Sequence, residues 1–356
     1  MFKAALAALA VSLLTILVAG CLEFQEDRSG NVQSMGLPGV PIWTRPKPAV
    51  TPQTQQLETS PALNSDWLGR LNYWRQMAGV RPVGENSNLS YGCQQHAQYL
   101  VDQIPPDRAD PGSYGLVMGG DAHHESLGRP GYTDEGAQAA TGGRHVQGVL
   151  QTADVSWSEP DGAADIDELF LVPFHRLSLL APWAKVAGFG RVGTPPRSAA
   201  ALALRGPQAD ADASGKVSFP PAGSMVPVTA MTYGEWPNPL TSCPGYHLPV
   251  GLPVTVQLGE DQSPALSSSS FSDETDHLEL ESCAFDAVTY RNPDPSQQEA
   301  AVQMLHSFGA VVLIPRHPLQ PGHTYRVSMT INGNNSFWTF SVQSPSTPLR
   351  SAAATY

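Results

Sequence analysis

Apolar residues recur with two different periods along this chain, and the change between them divides it. From about Leu63, Trp67, Leu71, Trp74 and Ala78 repeat every three or four positions and Gly79 follows, which predicts a short amphipathic helix with a glycine cap. Leu89, Cys93, Ala97, Leu100 and Ile104 repeat the spacing until Pro105 and Pro106 stop a second helix. His96 falls on or beside that face and is read as a core histidine donating to a backbone carbonyl. Residues 136–151 predict a helix broken by Gly142 and Gly143, and residues 164–172 predict another, stopped by Pro173. The runs near 186–192 and 199–205 read as strands. Residues 63–205 are thus expected to form an α+β domain of helices around a small sheet.

From about Gly206 helical spacing fades and prolines multiply. Short β-rich runs follow at residues 226–233, 252–258, 310–314, 324–331 and 336–342, with Asn332-Gly333 as a tight hairpin between the last two. Alternation puts Tyr325, Val327 and Met329 on one face, and sets Phe337 and Thr339 opposite Trp338 and Phe340. Residues 297–308 read as a helical interruption. An all-β sandwich over residues 206–345 is expected, with 346–356 as a tail. The closing Pro-Gly turn, strand, hairpin and strand resemble an immunoglobulin-like or fibronectin-like bacterial surface module.

The N-terminus sets the expected compartment. Lys3 precedes an apolar run over residues 4–18 that ends in Val18-Ala19-Gly20-Cys21, which resembles a bacterial lipoprotein signal. The resemblance implies removal of residues 1–20, acylation of Cys21 and attachment to the membrane. Leu22 rather than Asp follows the cysteine, which favours the outer membrane if the cell has one. Residues 21–62, rich in Pro, Gln, Thr and Ser, read as a tether. Net charge is −12, with 20 basic residues dispersed and unclustered, so nucleic acid is excluded as a partner. In an oxidising compartment Cys243 and Cys283 are the candidate disulfide, stabilising by about 4 kcal/mol through loop closure, and Cys93 stays a buried thiol.

Four segments then occur in order: "LNYWRQMAGVRPV", "CQQHAQYL", "HHESLGRPGYTDEGAQAA" and "FHRLSLLAPWAKVAGFG". Together they resemble the CAP superfamily of cysteine-rich secretory, antigen 5 and pathogenesis-related proteins, in bacterial form. The resemblance covers residues 63 to about 205. It implies a three-layer α-β-α sandwich whose cleft is lined by two histidines and two glutamates. The first histidine falls on His123 or His124, the first glutamate on Glu135 and the second histidine on His175. The second glutamate has no match: Leu171 or Val172 stands there, with Asp165, Asp167 and Glu168 nearby and Glu125 placed to join the same wall.

Two neutral imidazoles and a carboxylate can ligate zinc or another divalent ion and leave a position for water, and the candidate set is His124, His175 and Glu135. Without metal the same groups can relay protons, or simply pin loops. Ser126 and Thr133 lie near the histidines, yet no Gly-x-Ser-x-Gly turn occurs and serine-hydrolase chemistry is not expected. The acidic run of residues 272–277 lacks a calcium-loop glycine and reads as a solvated turn. The leading expectation is an anchored envelope lipoprotein whose cleft binds a lipid, peptide or glycan fragment. A metal-dependent hydrolase using His124, His175 and Glu135, and an inert surface protein, are the two alternatives.

Overall fold

The computed structural model describes residues 66–104, 119–145, 149–207, 215–259 and 262–344. The expected signal, Cys21, the tether, Pro105, Pro106 and the tail lie outside them. Among the described residues no helix is long and apolar enough to cross a membrane.

Strand Arg197–Pro207 explains the first layered unit. It is apolar at every position from Ala199 to Leu204, so both of its faces must be covered. Ala201 and Ala203 pack on one face with Leu89, Cys93 and Ala139, while Leu202 and Leu204 pack on the other with Leu71, Trp74, Ile166 and Phe170. Period-two alternation in one strand therefore sets small residues toward one helical layer and large ones toward the other. The helices are α1 (Trp67–Met77), α2 (Ser87–Asp102), α3 (Asp134–Ala140), α4 (Gly162–Leu171) and α5 (Pro173–Leu179). The strands are β1 (Gly84–Glu85), β2 (Gly143–His145), β3 (Val149–Gln151), β4 (Asp154–Trp157), β5 (Val186–Thr194) and β6 (Arg197–Pro207). They form one sheet ordered β1-β5-β6-β3-β2, with β4 also on β6. Helix α2 lies so close to β5 that a Cβ at Gly188 or Gly190 would run into the backbone of Leu89–Ser90 or Cys93–Gln94.

Two expected elements differ. The broken helix over 136–151 is α3 followed by the β2–β3 hairpin: the helix ends at Ala140 with Thr141 already extended, and Gly143 pairs with Gln151. Pro173 does not merely stop α4. It opens α5 at the first helical position, where its missing N–H is no loss.

The β-rich part comprises β7 (Val217–Phe219), β8 (Met225–Val226), β9 (Ala230–Met231), β10 (Val250–Gly251), β11 (Val254–Gln257), β12 (Leu266–Asp273), β13 (Leu278–Leu280), β14 (Ser282–Phe285), α6 (Pro295–Ser307), β15 (Ala310–Pro315), β16 (Thr324–Ile331) and β17 (Asn334–Val342). One sheet runs β14-β15-β11-β7, another β13-β12-β16-β17-β8, and β9 pairs with β10. Asn332 and Gly333 both take positive φ at the β16–β17 turn, as the Asn-Gly pair requires. Tyr325, Val327 and Met329 point into the core with Trp338 and Phe340. Cys243 and Cys283 are bonded, and Cys93 is buried with its thiol pushed up to about 12 by desolvation.

The hydrophobic core does not stop where β6 gives way to β7. Trp74, Phe170 and Phe219 stack and cross one another, and Phe174 meets Phe285 and Tyr290 edge-on or tilted. Helical and β-rich parts belong to one compact unit. Arg176 on α5 fastens them. Its buried guanidinium donates to the carbonyls of Phe170, Leu171 and Pro253 and lies over the rings of Phe170 and Phe219.

Candidate functional site

A cavity of about 610 Å³ opens where these layers meet. His123 ends the short 3-10 turn Gly119–His123, His124 follows it, and His175 comes from α5; all three line the cavity. Asp154, Thr152 and Ser178 add polar groups, while Leu150 and Trp183 are apolar walls. The far wall lies outside the α-β-α unit. It consists of Trp236 and of one face of α6, with Ala300, Gln303, Met304 and Ser307, continued by Phe308.

His175 is the best-fixed of the three imidazoles. Its Nδ1 lies 2.9 Å from Oε2 of Glu235, whose carboxylate also accepts from the backbone N–H of Phe174 and of His175. Burial alone would depress this imidazole, but the hydrogen bond and charge of Glu235, with Asp154 and Glu168, outweigh it and raise its pKa above the usual value. His123 moves the opposite way, down to about 3, because surrounding protein desolvates it and His175, His96 and His124 disfavour a further positive charge. It is a neutral imidazole near pH 7. His124 is exposed, and its Nδ1 meets the carbonyl of Gly120.

Asp154 is the cavity's acid. It opens β4 opposite Leu202 and is 2 % exposed. Desolvation lifts its pKa to about 7, against the opposing pull of His175 and of the Ser178 and Thr152 hydroxyls. Its Oδ2 is buried and has no hydrogen-bond partner among the described residues. An orphaned acceptor of this kind costs about 1–3 kcal/mol, so native folds rarely leave one without a purpose.

The other expected acids stand elsewhere. Glu135 is exposed in the first turn of α3, where a negative charge suits the helix dipole, and it does not line the cavity. Glu125 is turned inward. Its side chain is fully buried, bonding His96 Nδ1 at 3.0 Å and the backbone N–H of Thr133 at 3.0 Å. His96 Nε2 meets the Ala122 carbonyl at 2.8 Å, so this ring faces an acceptor on each nitrogen and ties α2 to the turn bearing His123. Thr133 caps α3 through Gly136. Asp165 pairs with Arg191 and Ser156, Asp167 takes the Trp74 indole and Arg70, and Glu168 takes Ser156 and the N–H of Trp157.

A metal centre does not fit this cavity as folded. His124, His175 and Glu135 form no set of ligand atoms within 4.8 Å of one another, nor do the cavity's three histidines with Asp154. Among the described residues only Asp273, Asp276 and His323 make such a set, in the β-rich part. There the Asp273 carboxylate already bonds His323 Nδ1 at 2.8 Å and the N–H groups of Thr275 and Asp276.

Sequence reasoning missed Asp154 and Glu235. Asp154 lies in a short strand with nothing around it to mark an acid, and Glu235 is 60 positions from its histidine. Only the fold brings them together.

Helices on both faces of a mostly antiparallel sheet, with imidazoles gathered at one cleft, define the class of the first unit: an α-β-α sandwich bearing a polar cleft. Residues 68–202 match the family model for CAP, the cysteine-rich secretory protein family, and the chain carries a CAP domain over that span. No curated protein matches the chain.

Proposed function

We propose that the protein is an envelope lipoprotein, anchored through acylated Cys21, whose cavity binds one small molecule carrying a hydrogen-bond donor and an apolar body. The observation that carries this reading is Asp154 Oδ2, a buried acceptor without a partner in the wall of a 610 Å³ cavity. That volume lies in the range of small-molecule sites. A ligand hydroxyl, amide or amine would satisfy Oδ2, neutral His123 could donate or accept beside it, and Leu150, Trp183, Met304 and Phe308 would cover the rest. A lipid, a peptide or a glycan fragment can each present such a group. The β-rich part then acts both as cavity wall and as a spacer of immunoglobulin-like kind at the cell surface.

The test is thermal denaturation of the purified protein with cell-envelope extract separated by polarity. One fraction is expected to raise the midpoint by several degrees, since a hundredfold excess over Kd stabilises by about 2.7 kcal/mol. The same fraction should shift Asp154→Leu far less. If no fraction moves the wild-type midpoint, the binding reading fails.

A further inference from the structure

The family match ends at residue 202, yet the best-held imidazole of the cavity is held by a residue beyond it. Glu235 is 1 % exposed at its side chain. A buried carboxylate is tolerated only where donors surround it. Every donor it finds lies at one place: the N–H of Phe174, the N–H of His175 and the Nδ1 of the His175 ring. Val172, at the N-cap of α5, makes no side-chain cap bond, so Glu235 supplies from 60 residues away the cap that the helix start lacks. Only one of its bonds, the one to the ring, is of no use to a helix cap.

We propose that Glu235 is the positioning residue of the cavity, orienting His175 through Nδ1 so that Nε2 is left for the bound molecule. A histidine whose Nδ1–H is donated to a carboxylate is locked in rotation and tautomer, and its other nitrogen becomes the working atom. With Nδ1 engaged by Glu235, Nε2 is the ring nitrogen left to meet the cavity that His175 lines. The neighbour of Glu235 in sequence, Trp236, is itself a wall of the cavity. One loop of the β-rich part thus delivers both the orienting carboxylate and an aromatic surface, and α6 brings Met304 to the same side. The site is therefore completed by the part of the chain beyond the CAP domain. This role presupposes that the cavity is the binding site; the protonation pattern of His175 nevertheless reports on Glu235 with or without a bound molecule, so failure of one idea does not imitate failure of the other.

The experiment is long-range 1H–15N NMR on the full chain with labelled histidine, followed from pH 5 to pH 9. The titratable groups around the ring are Glu235, Asp154, Glu168 and the imidazole of His123, and the first of these alone is varied. In the wild type His175 is expected to carry its neutral-form proton on Nδ1. In Glu235→Ala the proton should no longer be fixed there. Glu235→Gln keeps an acceptor oxygen and so keeps the cap and the tautomer, but its proton affinity at His175 should drop about tenfold, one pH unit. A wild-type ring protonated on Nε2, or a Gln variant that titrates like the wild type, overturns the proposal. Should Glu235→Ala fail to fold, the wild-type tautomer and the Gln variant's titration decide the matter by themselves.

Discussion

At the scale of single residues, Asp154 is the most consequential group in the cavity. The folded chain holds its proton more tightly than the unfolded chain does, because burial raises its pKa from 3.8 to about 7. A raised acid stabilises the fold fully below the unfolded value, and that contribution is lost as pH rises through the folded value. Between about pH 4 and pH 7 the wild type should therefore lose up to about 1.4 kcal/mol per pH unit relative to Asp154→Asn. Urea unfolding of both proteins across that range measures the difference. Parallel stability curves would mean that the carboxyl is not desolvated. His123 pulls the other way, since its depressed pKa leaves it neutral when folded and it loses stability as pH falls below its unfolded value of 6.5. Comparing two variants at each pH removes that background.

At the scale of elements, the close approach of α2 to β5 fixes the layer behind the cleft, and with it the His96–Glu125 bond that steadies the turn bearing His123. Gly190→Ala would set a methyl group against the backbone of Gln94 and is expected to destabilise the fold by about 3 kcal/mol. Gly84→Ala, with nothing within 4 Å of its added carbon, should stay within about 0.5 kcal/mol of the wild type. Chemical denaturation of the two variants checks both. Equal effects would show that α2 can yield.

Legibility in the sequence followed the same physics of elements. Helices α1 and α2 and strands β16 and β17 were readable because each buries a face with its own period, as the alternation through Tyr325, Val327 and Met329 shows, and β6 because it is a continuous apolar run. Strand β12 was not readable. Its Ser-rich stretch is held by pairing with β16 rather than by apolar alternation. Helix α5 was hidden because its opening proline reads as an end and its cap comes from Glu235. The histidines of the cavity were marked by their place in the family resemblance, whereas the acids that serve them were not. Glu135 carries the local motif and points to solvent, while Asp154 and Glu235 have no motif and face inward.

At the scale of the whole molecule, one core runs through the CAP domain and the β-rich part, and the cavity is a consequence of that union. Arg176 and the aromatic group of Trp74, Phe170, Phe174 and Phe219 hold the two against each other, with the cavity between His175 and α6. Filling the space between them without touching its polar end isolates the binding function from the fold. Met304 is half-buried on that wall and can be enlarged outward from α6. The decisive measurement is native mass spectrometry of the protein purified from the cells that make it, wild type beside Met304→Trp. Wild-type protein is expected to carry one additional small mass per chain and the Trp variant to carry none. Identical bare masses for both proteins would contradict a ligand-binding cavity.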